Sequence, residues 1–276
     1  MAPKIDHIIV GLPYSDLQSL PTWLTDNFTI APGGRHADGK TENKLIIFKD
    51  GSYIELIAFI NDDPENKKGH WWGQHGSGYI DCALTSNGAE DVHEVNKRID
   101  RAETGLDAVK YQDPRAGGRI KPDGVEIKWK VTFPENVRRG EVPFWCHDVT
   151  PRELRVPKDE KLTTHPSGVL GVGQLDLVVP SNKLGAFKKF YSALVDSDGN
   201  TGGGSVTWGI DAVNKDEGVY SPKVRINADK AEDGTHAAIA KLTLLTDTKG
   251  EGESREPLIE KLGGVEMRIE FTHGRQ

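Results

Sequence analysis

The stretch IDHIIVGLP, residues 5–13, alternates as a half-buried strand does. Ile5, His7 and Ile9 are expected on one face, and Asp6, Ile8 and Val10 on the other. Its β-branched content fits a strand, and Pro13 ends it. SDLQSLPTWLTDNF (15–28) follows as a helical segment, with Ser15 or Asp16 as N-cap and Pro21 breaking it. FTIAPGGRHADGKTEN (28–43) reads as a strand, a glycine turn and a loop. NKLIIFKD (43–50) and SYIELIAFI (52–60) are strands joined at Asp50-Gly51, a hairpin signal. The order is β, α, β, β, β.

That order recurs. YIDCALTS (79–86) is a strand, and AEDVHEVNKRIDRA (89–102) is a helix with Val92, Val95 and Ile99 at helical spacing. GGRIKPDGVEIKWKVTF (117–133) holds two strands around Pro122-Asp123-Gly124, and VPFWCHDVT (142–150) is the last strand. A third copy is suggested by LGVGQLDLVVP (170–180), the helix LGAFKKFYSALVD (184–196), and strands at 205–213, 237–247 and 265–273. LIEKLGG (258–264) reads as a helical turn with a glycine cap. One such unit leaves an apolar sheet face uncovered and must pair with another to close a core. The expected fold is therefore α+β: paired βαβββ modules (4–60 and 79–150) forming a curved, incomplete β-barrel domain over 1–155, and a third βαβββ-like module over 165–276. Pairing of modules one and two is the simpler topology; pairing of one and three is the alternative.

Composition sets outer bounds. With 276 residues, 36% of them hydrophobic, the chain can bury a sizeable core. The net charge of -7 and the absence of a basic stripe argue against a nucleic-acid partner. Cys82 and Cys146 form no CxxC pair. No apolar run reaches the roughly 18 residues of a membrane span, and the opening run is too short for a signal segment. A cytoplasmic protein is expected.

Aligning the repeats points to chemistry. His7 lies six residues before Pro13 and Gln174 six before Pro180, while YIELIAF (53–59) set against RIEFTH (268–273) matches Glu55 with Glu270. A carboxylate inside an apolar strand needs a cation or donors to offset its desolvation. His, Gln and Glu are suitable ligands for Zn²⁺, Fe²⁺, Mn²⁺ or Ni²⁺.

The DHIIVGLP opening, the APGGRHADGKTEN loop and the YIELIAF strand resemble the glyoxalase-like branch of the vicinal-oxygen-chelate superfamily. GGRIKPDGVEIKW, VPFWCHDV and HPSG look like its continuation; the resemblance covers residues 4–168 well and the last third loosely. It implies paired βαβββ modules and, usually, a divalent metal in the barrel. Members include glyoxalases, extradiol dioxygenases, epimerases, fosfomycin-resistance enzymes and metal-free drug-binding proteins, so fold does not settle reaction. The match carries a ligand role onto His7 and Glu55. If module two completes the set, Cys82 stands opposite His7 and His147 is the nearest ligand; if module three does, Gln174 and Glu270 complete it.

Other candidates are weighed against plainer roles. Arg35 and His36, after the glycine pair, are read as a cation for an anionic substrate and a proton carrier, or else as exposed turn residues. Asn43, Arg119 and Trp129 are read as substrate contacts, or as loop and packing residues. Trp71-Trp72 is a lid or an anchor. The leading expectation is a metal-assisted lyase, isomerase or dioxygenase acting on a small oxygen-rich substrate, with Glu55 or His36 moving the proton. The alternative is a metal-free small-molecule binding or resistance protein using the same cavity. Members of the superfamily often dimerise, and an unpaired third module has an apolar face to cover, so a homodimer is expected.

Overall fold

The computed structural model describes residues 2–121, 123–214, 221–229, 236–246 and 256–273. Pro122, part of an expected turn, lies outside them; Gly124, on the same turn, has φ +83° and donates its N–H to Lys121 O at 2.9 Å.

The first module comprises β1 (Lys4–Gly11), α1 (Tyr14–Gln18), α2 (Thr22–Asn27), β2 (Ala31–His36), β3 (Thr41–Ile47) and β4 (Tyr53–Phe59). Pro13 and Pro21 precede the two helices, which is why this segment breaks into two short turns. A short helix, α3 (Pro64–Lys67), lies in the linker. The second module comprises β5 (Gly78–Thr85), α4 (Asp91–Ala102), β6 (Lys110–Tyr111), β7 (Arg115–Ile120), β8 (Glu126–Thr132), β9 (Pro134–Glu135) and β10 (Phe144–Asp148), with β6 and β9 forming a small ribbon apart. Modules one and two pair, and the barrel they make is closed rather than incomplete, in the order β1-β4-β3-β2-β7-β8-β10-β5. Closure rests on two residue pairs, Arg35 with Ile120 and His36 with Arg119.

After α5 (Arg152–Arg155) and α6 (Glu160–Thr163) come β11 (Val169–Pro180), α7 (Leu184–Val195), β12 (Asn200–Gly202), β13 (Ser205–Gly209), β14 (Lys223–Asp229), β15 (Ala238–Thr246), β16 (Leu258–Leu262) and β17 (Val265–His273). They form a seven-stranded sheet, β12-β13-β14-β11-β15-β17-β16. Its order repeats that of the barrel with one strand missing, so it stays open among the described residues. The segment 258–262 is a strand, not the expected helical turn. Gly263 (φ +58°) and Gly264 (φ +79°) form a two-residue hairpin turn between the paired Leu262 and Val265, which requires positive φ at both positions.

The main core lies between the outside of the barrel and the second sheet. Ile8 and Val10 of β1 and Leu84 of β5 meet Val95 of α4, Phe190 of α7 and Leu175 of β11 in one cluster. The inner side of the barrel is thereby left free for side chains of other chemistry.

The glycine pair 33–34 is also reassigned: both residues lie within β2, and the turn follows at Ala37–Lys40. A Cβ on Gly33 would sit 2.1 Å from Asn43 O and Oδ1, so the close approach of β2 to β3 demands glycine. Gly33→Ala is expected to cost about 1–3 kcal/mol, while Gly76→Ala, with nothing within 4 Å of the added atom, should stay within about 0.5 kcal/mol of wild type. Urea unfolding of the two variants is the check; equal stabilities would refute the close-approach account.

Candidate active site

β1 does not alternate cleanly. Its register against β5 slips between Ile5 and His7, so Asp6 is an inserted bulge residue. Ile5 therefore joins Ile8 and Val10 in the outer core, while Ile9 faces inward. Asp6 is brought beside His7 instead of facing away, and its Oδ2 lies 2.7 Å from His7 Nδ1. This bond fixes the ring and turns His7 Nε2 toward the cavity, the usual consequence of a carboxylate behind an imidazole.

Glu55, on β4, is the centre of the cavity's chemistry. It is only 4% exposed. His7 Nε2 lies 3.5 Å from its Oε2 and His36 Nε2 lies 3.5 Å from its Oε1. Asn43 Nδ2 donates to Oε1 at 2.5 Å, and Asn43 Oδ1 accepts from Gly34 N at 3.0 Å. The carboxylate thus has the donors its burial requires. Burial pushes the His36 pKa below its ordinary value, although Glu55 and Asp38 pull it back up, so His36 is neutral near neutral pH. His7 stacks on Tyr53 at 4.6 Å between ring centroids, and Trp129 meets His36 edge-on at 6.0 Å.

Behind His7 lies a charged cluster. Arg155 Nη1 donates to Asp6 Oδ2 at 2.8 Å and to Tyr53 Oη at 2.8 Å, and its Nη2 donates to Asp6 Oδ1 at 3.1 Å. Arg155 Nε and Nη2 also donate to Asp148 at 2.6 and 2.8 Å. Arg152 Nη1 lies 2.6 Å from Asp6 Oδ1. Burial alone would raise the Asp6 carboxyl, but Arg152 and Arg155, with His7, hold it well below the usual carboxylate range.

The cavity measures about 130 Å³ and takes in His7, His36, Asn43, Glu55, Arg119 and Trp129. Trp71 is 41% exposed and also lines the cavity. Trp72 is anchored through Nε1 to Asp81 Oδ2 at 2.8 Å.

Four expected participants lie elsewhere. Arg35 is exposed on the outer side of β2, because consecutive strand residues point apart and His36 takes the inner side. His147 likewise follows inward-facing Cys146 and points out; it stacks on Trp145 and sits 2.8 Å from Ser86 Oγ. Gln174 and Glu270 belong to the second sheet. There Gln174 donates to Asp176, and Glu270 is held 2.7 Å from Lys241 Nζ. The match of Glu55 with Glu270 is also revised: β4 is the parallel neighbour of β1, whereas β17 is the parallel neighbour of β15.

The donor set does not suit the metal centre that the resemblance implied. Across the antiparallel β1–β5 pair His7 faces Ala83, not Cys82. Glu55 lies two residues beyond His7's parallel partner Tyr53; Cys146 lies two beyond Ala83's parallel partner Phe144. Module two thus offers a methyl and a thiol where a second His–Glu pair would be needed. Burial pushes the Cys146 thiol up, keeping it protonated and a poor ligand. Among the described residues no group of three His, Cys, Asp or Glu side chains is placed to hold a metal ion.

Asp6, Tyr53 and Arg155 were not singled out from the sequence. The Asp-His dipeptide was a local signal for Asp6. Arg155 carried none, since the contacts that tie it to His7's neighbours, Tyr53 and Asp6, lie 102 and 149 residues away.

A closed barrel of two βαβββ modules with its polar residues gathered inside is the architecture of the vicinal-oxygen-chelate superfamily. Residues 5–195 match the Glyoxalase-like domain, and the chain belongs to that family. A solved structure described as a hypothetical protein from Staphylococcus aureus is 18% identical, with a TM-score of 0.69, over 98% of this chain and 100% of that one. A xylose isomerase-like TIM barrel/4-hydroxyphenylpyruvate dioxygenase fusion protein is 13% identical, with a TM-score of 0.51, over 90% of this chain and 37% of that one. A Streptomyces coelicolor methylmalonyl-CoA epimerase variant is 16% identical, with a TM-score of 0.34, over 54% of this chain and 100% of that one. At these identities the likeness to the first two is one of fold. The chain matches no curated protein sequence. Among the described residues no helix is long and apolar enough to cross a membrane.

Two outcomes test the site. Asp6's folded pKa lies below its unfolded one, so its contribution to stability is full above about pH 4 and is lost as the pH falls through the folded value. Asp6→Asn should lower stability by up to about 3–5 kcal/mol at neutral pH by leaving Asp148 as the single carboxylate for both Arg152 and Arg155, and should lose less than wild type on further acidification; urea titrations across pH measure both. Second, protein dialysed against Zn²⁺, Ni²⁺, Mn²⁺ or Fe²⁺ and then gel-filtered is expected to hold well under one ion per chain. A stoichiometric ion that disappears in His7→Ala and Glu55→Ala would reinstate the metal centre.

Proposed function

We propose that the barrel is the active site of a proton-transfer enzyme of the lyase or isomerase type, acting on a small oxygen-rich substrate. One observation carries this reading: Glu55 is buried between two imidazoles, His7 Nε2 lying 3.5 Å from one of its oxygens and His36 Nε2 3.5 Å from the other, and among the described residues no lysine or arginine pairs with it. Glu55, whose Oε2 is turned to His7 Nε2 at 3.5 Å, is the group that takes a proton from the substrate carbon or returns it. Asp6 stays ionised and holds the His7 ring by its Nδ1–H, so the exchange is confined to the Nε2 side. Asn43 holds Glu55 Oε1 and keeps the carboxylate from turning. Neutral His36, held through Nδ1 at 2.7 Å from Thr41 Oγ1, turns Nε2 toward Glu55 and the cavity, where it can hydrogen-bond a substrate oxygen. Trp71, Trp72 and Phe133 restrict water, which strengthens each of these interactions. A divalent ion is not required by this arrangement, and a dioxygenase reaction finds no ligand set here.

The reading is tested in D₂O by ¹H NMR, with a panel of 2-hydroxy acids, 2-oxo acids and hydroxyketones. Carbon-bound hydrogen of at least one compound is expected to exchange in the presence of wild type. Glu55→Gln should slow that exchange by about 10²–10⁴-fold, the usual worth of a general base. Binding without exchange for every compound, or exchange undiminished in Glu55→Gln, would favour the alternative of a binding protein using the same cavity.

A further inference from the structure

Two arginines are fully buried among the described residues, Arg119 at 3% exposure and Arg155 at 2%. Their surroundings are opposite. Arg155 is saturated by Asp6, Asp148 and Tyr53. Arg119 has one long contact, Nη2 to Arg155 O at 3.4 Å, and its Nη1 has no partner. It takes part in no ion pair among the described residues, yet it lines the cavity that holds Glu55. Burial pulls its pKa down, and Tyr53 and the charge of Glu55, which makes no ion pair with it, restore it only in part. A buried, unpaired guanidinium is costly, and a ligand anion is the group that would offset that cost.

We infer that Arg119 is the carboxylate-binding subsite of this cavity, and that the substrate is a small carboxylic acid carrying one ring-sized apolar body. The inference rests on the proton-transfer reading of the same cavity and names its substrate class. The planar fork of an arginine matches a carboxylate better than a carbonyl or hydroxyl. Arg155 cannot compete for the carboxylate, because its own donors are engaged. The ring-sized body follows from the walls and the volume. Trp129, Val131, Phe133 and Phe144 line the same space. A cavity of about 130 Å³ is close to the roughly 150 Å³ that accommodates one benzene molecule. Position follows as well: His36 and Arg119 are cross-strand partners at the seam where the barrel closes. A carboxylate on Arg119 therefore sets the adjoining carbon on the side of His36 and Glu55, where a proton can be exchanged.

The test uses benzoate and its neutral isostere benzamide, titrated calorimetrically into the full-length protein. Wild type is expected to bind benzoate about tenfold or more tighter than benzamide, since hydrogen bonds to a charged group are the stronger kind. Arg119→Gln should bring the ratio close to one, and Arg119→Lys should keep part of it. Glu55→Gln should keep the preference, because Arg119 is intact. Equal affinities in wild type, no benzoate binding at millimolar concentration, or an undiminished ratio in Arg119→Gln would each overturn the inference. If Arg119→Gln does not fold, the wild-type ratio and the Arg119→Lys ratio decide. Anion preference without any D₂O exchange would overturn the proton-transfer reading and leave this subsite standing; exchange without anion preference would do the reverse.

Discussion

The cavity depends on a bulge and a buried ion pair. Asp6 is wholly buried, and it is inside only because β1 carries one extra residue there. A carboxylate in that position needs cations, and the chain supplies them from α5, just after the second module ends. Arg155 bridges Asp6 and Asp148 and reaches Tyr53, so the first strand, the fourth strand and the segment after the tenth are held at one point. Burial opposes the charge of Arg155, and Asp6 more than restores it, holding the guanidinium well above its usual range. The same contacts set the functional groups: Asp6 orients His7, and Tyr53 stacks on the His7 ring. Tertiary closure and cavity geometry are therefore one network, and a change to either is felt by the other.

The barrel is symmetric in topology and asymmetric in chemistry. Each module contributes a first strand and a parallel last strand. In module one these carry His7 and Glu55; at the matching places module two carries Ala83 and Cys146. The second half of the cavity is instead apolar and aromatic, built from Phe144, Phe133 and Val131, with Arg119 as its charged member. One half offers acid–base groups and the other a shape and a cation. This division suits a substrate with an anionic end, an apolar body and one exchangeable hydrogen.

Much of this was legible in the sequence, because period-two alternation and turn chemistry specify strands locally. β1, β4, β5, β10 and the helices α4 and α7 lie where those patterns place them. His7, His36, Asn43, Glu55, Arg119 and Trp129 all line one cavity. What failed were questions of side and partner. Whether His36 or Arg35 faces inward depends on strand parity, and a one-residue difference exchanges the faces. The same parity sends His147 outward and Cys146 inward. The bulge at Asp6 is a property of the β1–β5 register, which no local pattern encodes. Arg155 illustrates the limit most clearly: beside its local contact with Asp148, its role depends on residues 102 and 149 positions away.

The second sheet repeats the scaffold without the chemistry. β11 has register slips between Val172 and Gln174 and between Asp176 and Leu177, matching those of β1 between Ile5 and His7 and between Ile9 and Val10. The bulges fix the correspondence: Asp6 becomes Gly173, and His7 becomes Gln174. Two residues beyond the parallel partner of Gln174, where Glu55 would stand, is Arg225. The orienting carboxylate is gone, the imidazole is an amide, and the buried carboxylate of Glu55 has been replaced by a guanidinium. Asp176 pairs with Arg225 and lies 3.6 Å from Lys241, while Glu270 pairs with Lys241 and Arg268, so each of these charges has a partner of opposite sign. No anion is called for there, in contrast to Arg119. What the sheet does contribute is β11 and α7, whose Leu175 and Phe190 pack against Ile8, Leu84 and Val95. It buries the outside of the very strand whose inside carries His7, and so keeps the bulge, and the carboxylate it delivers, in place.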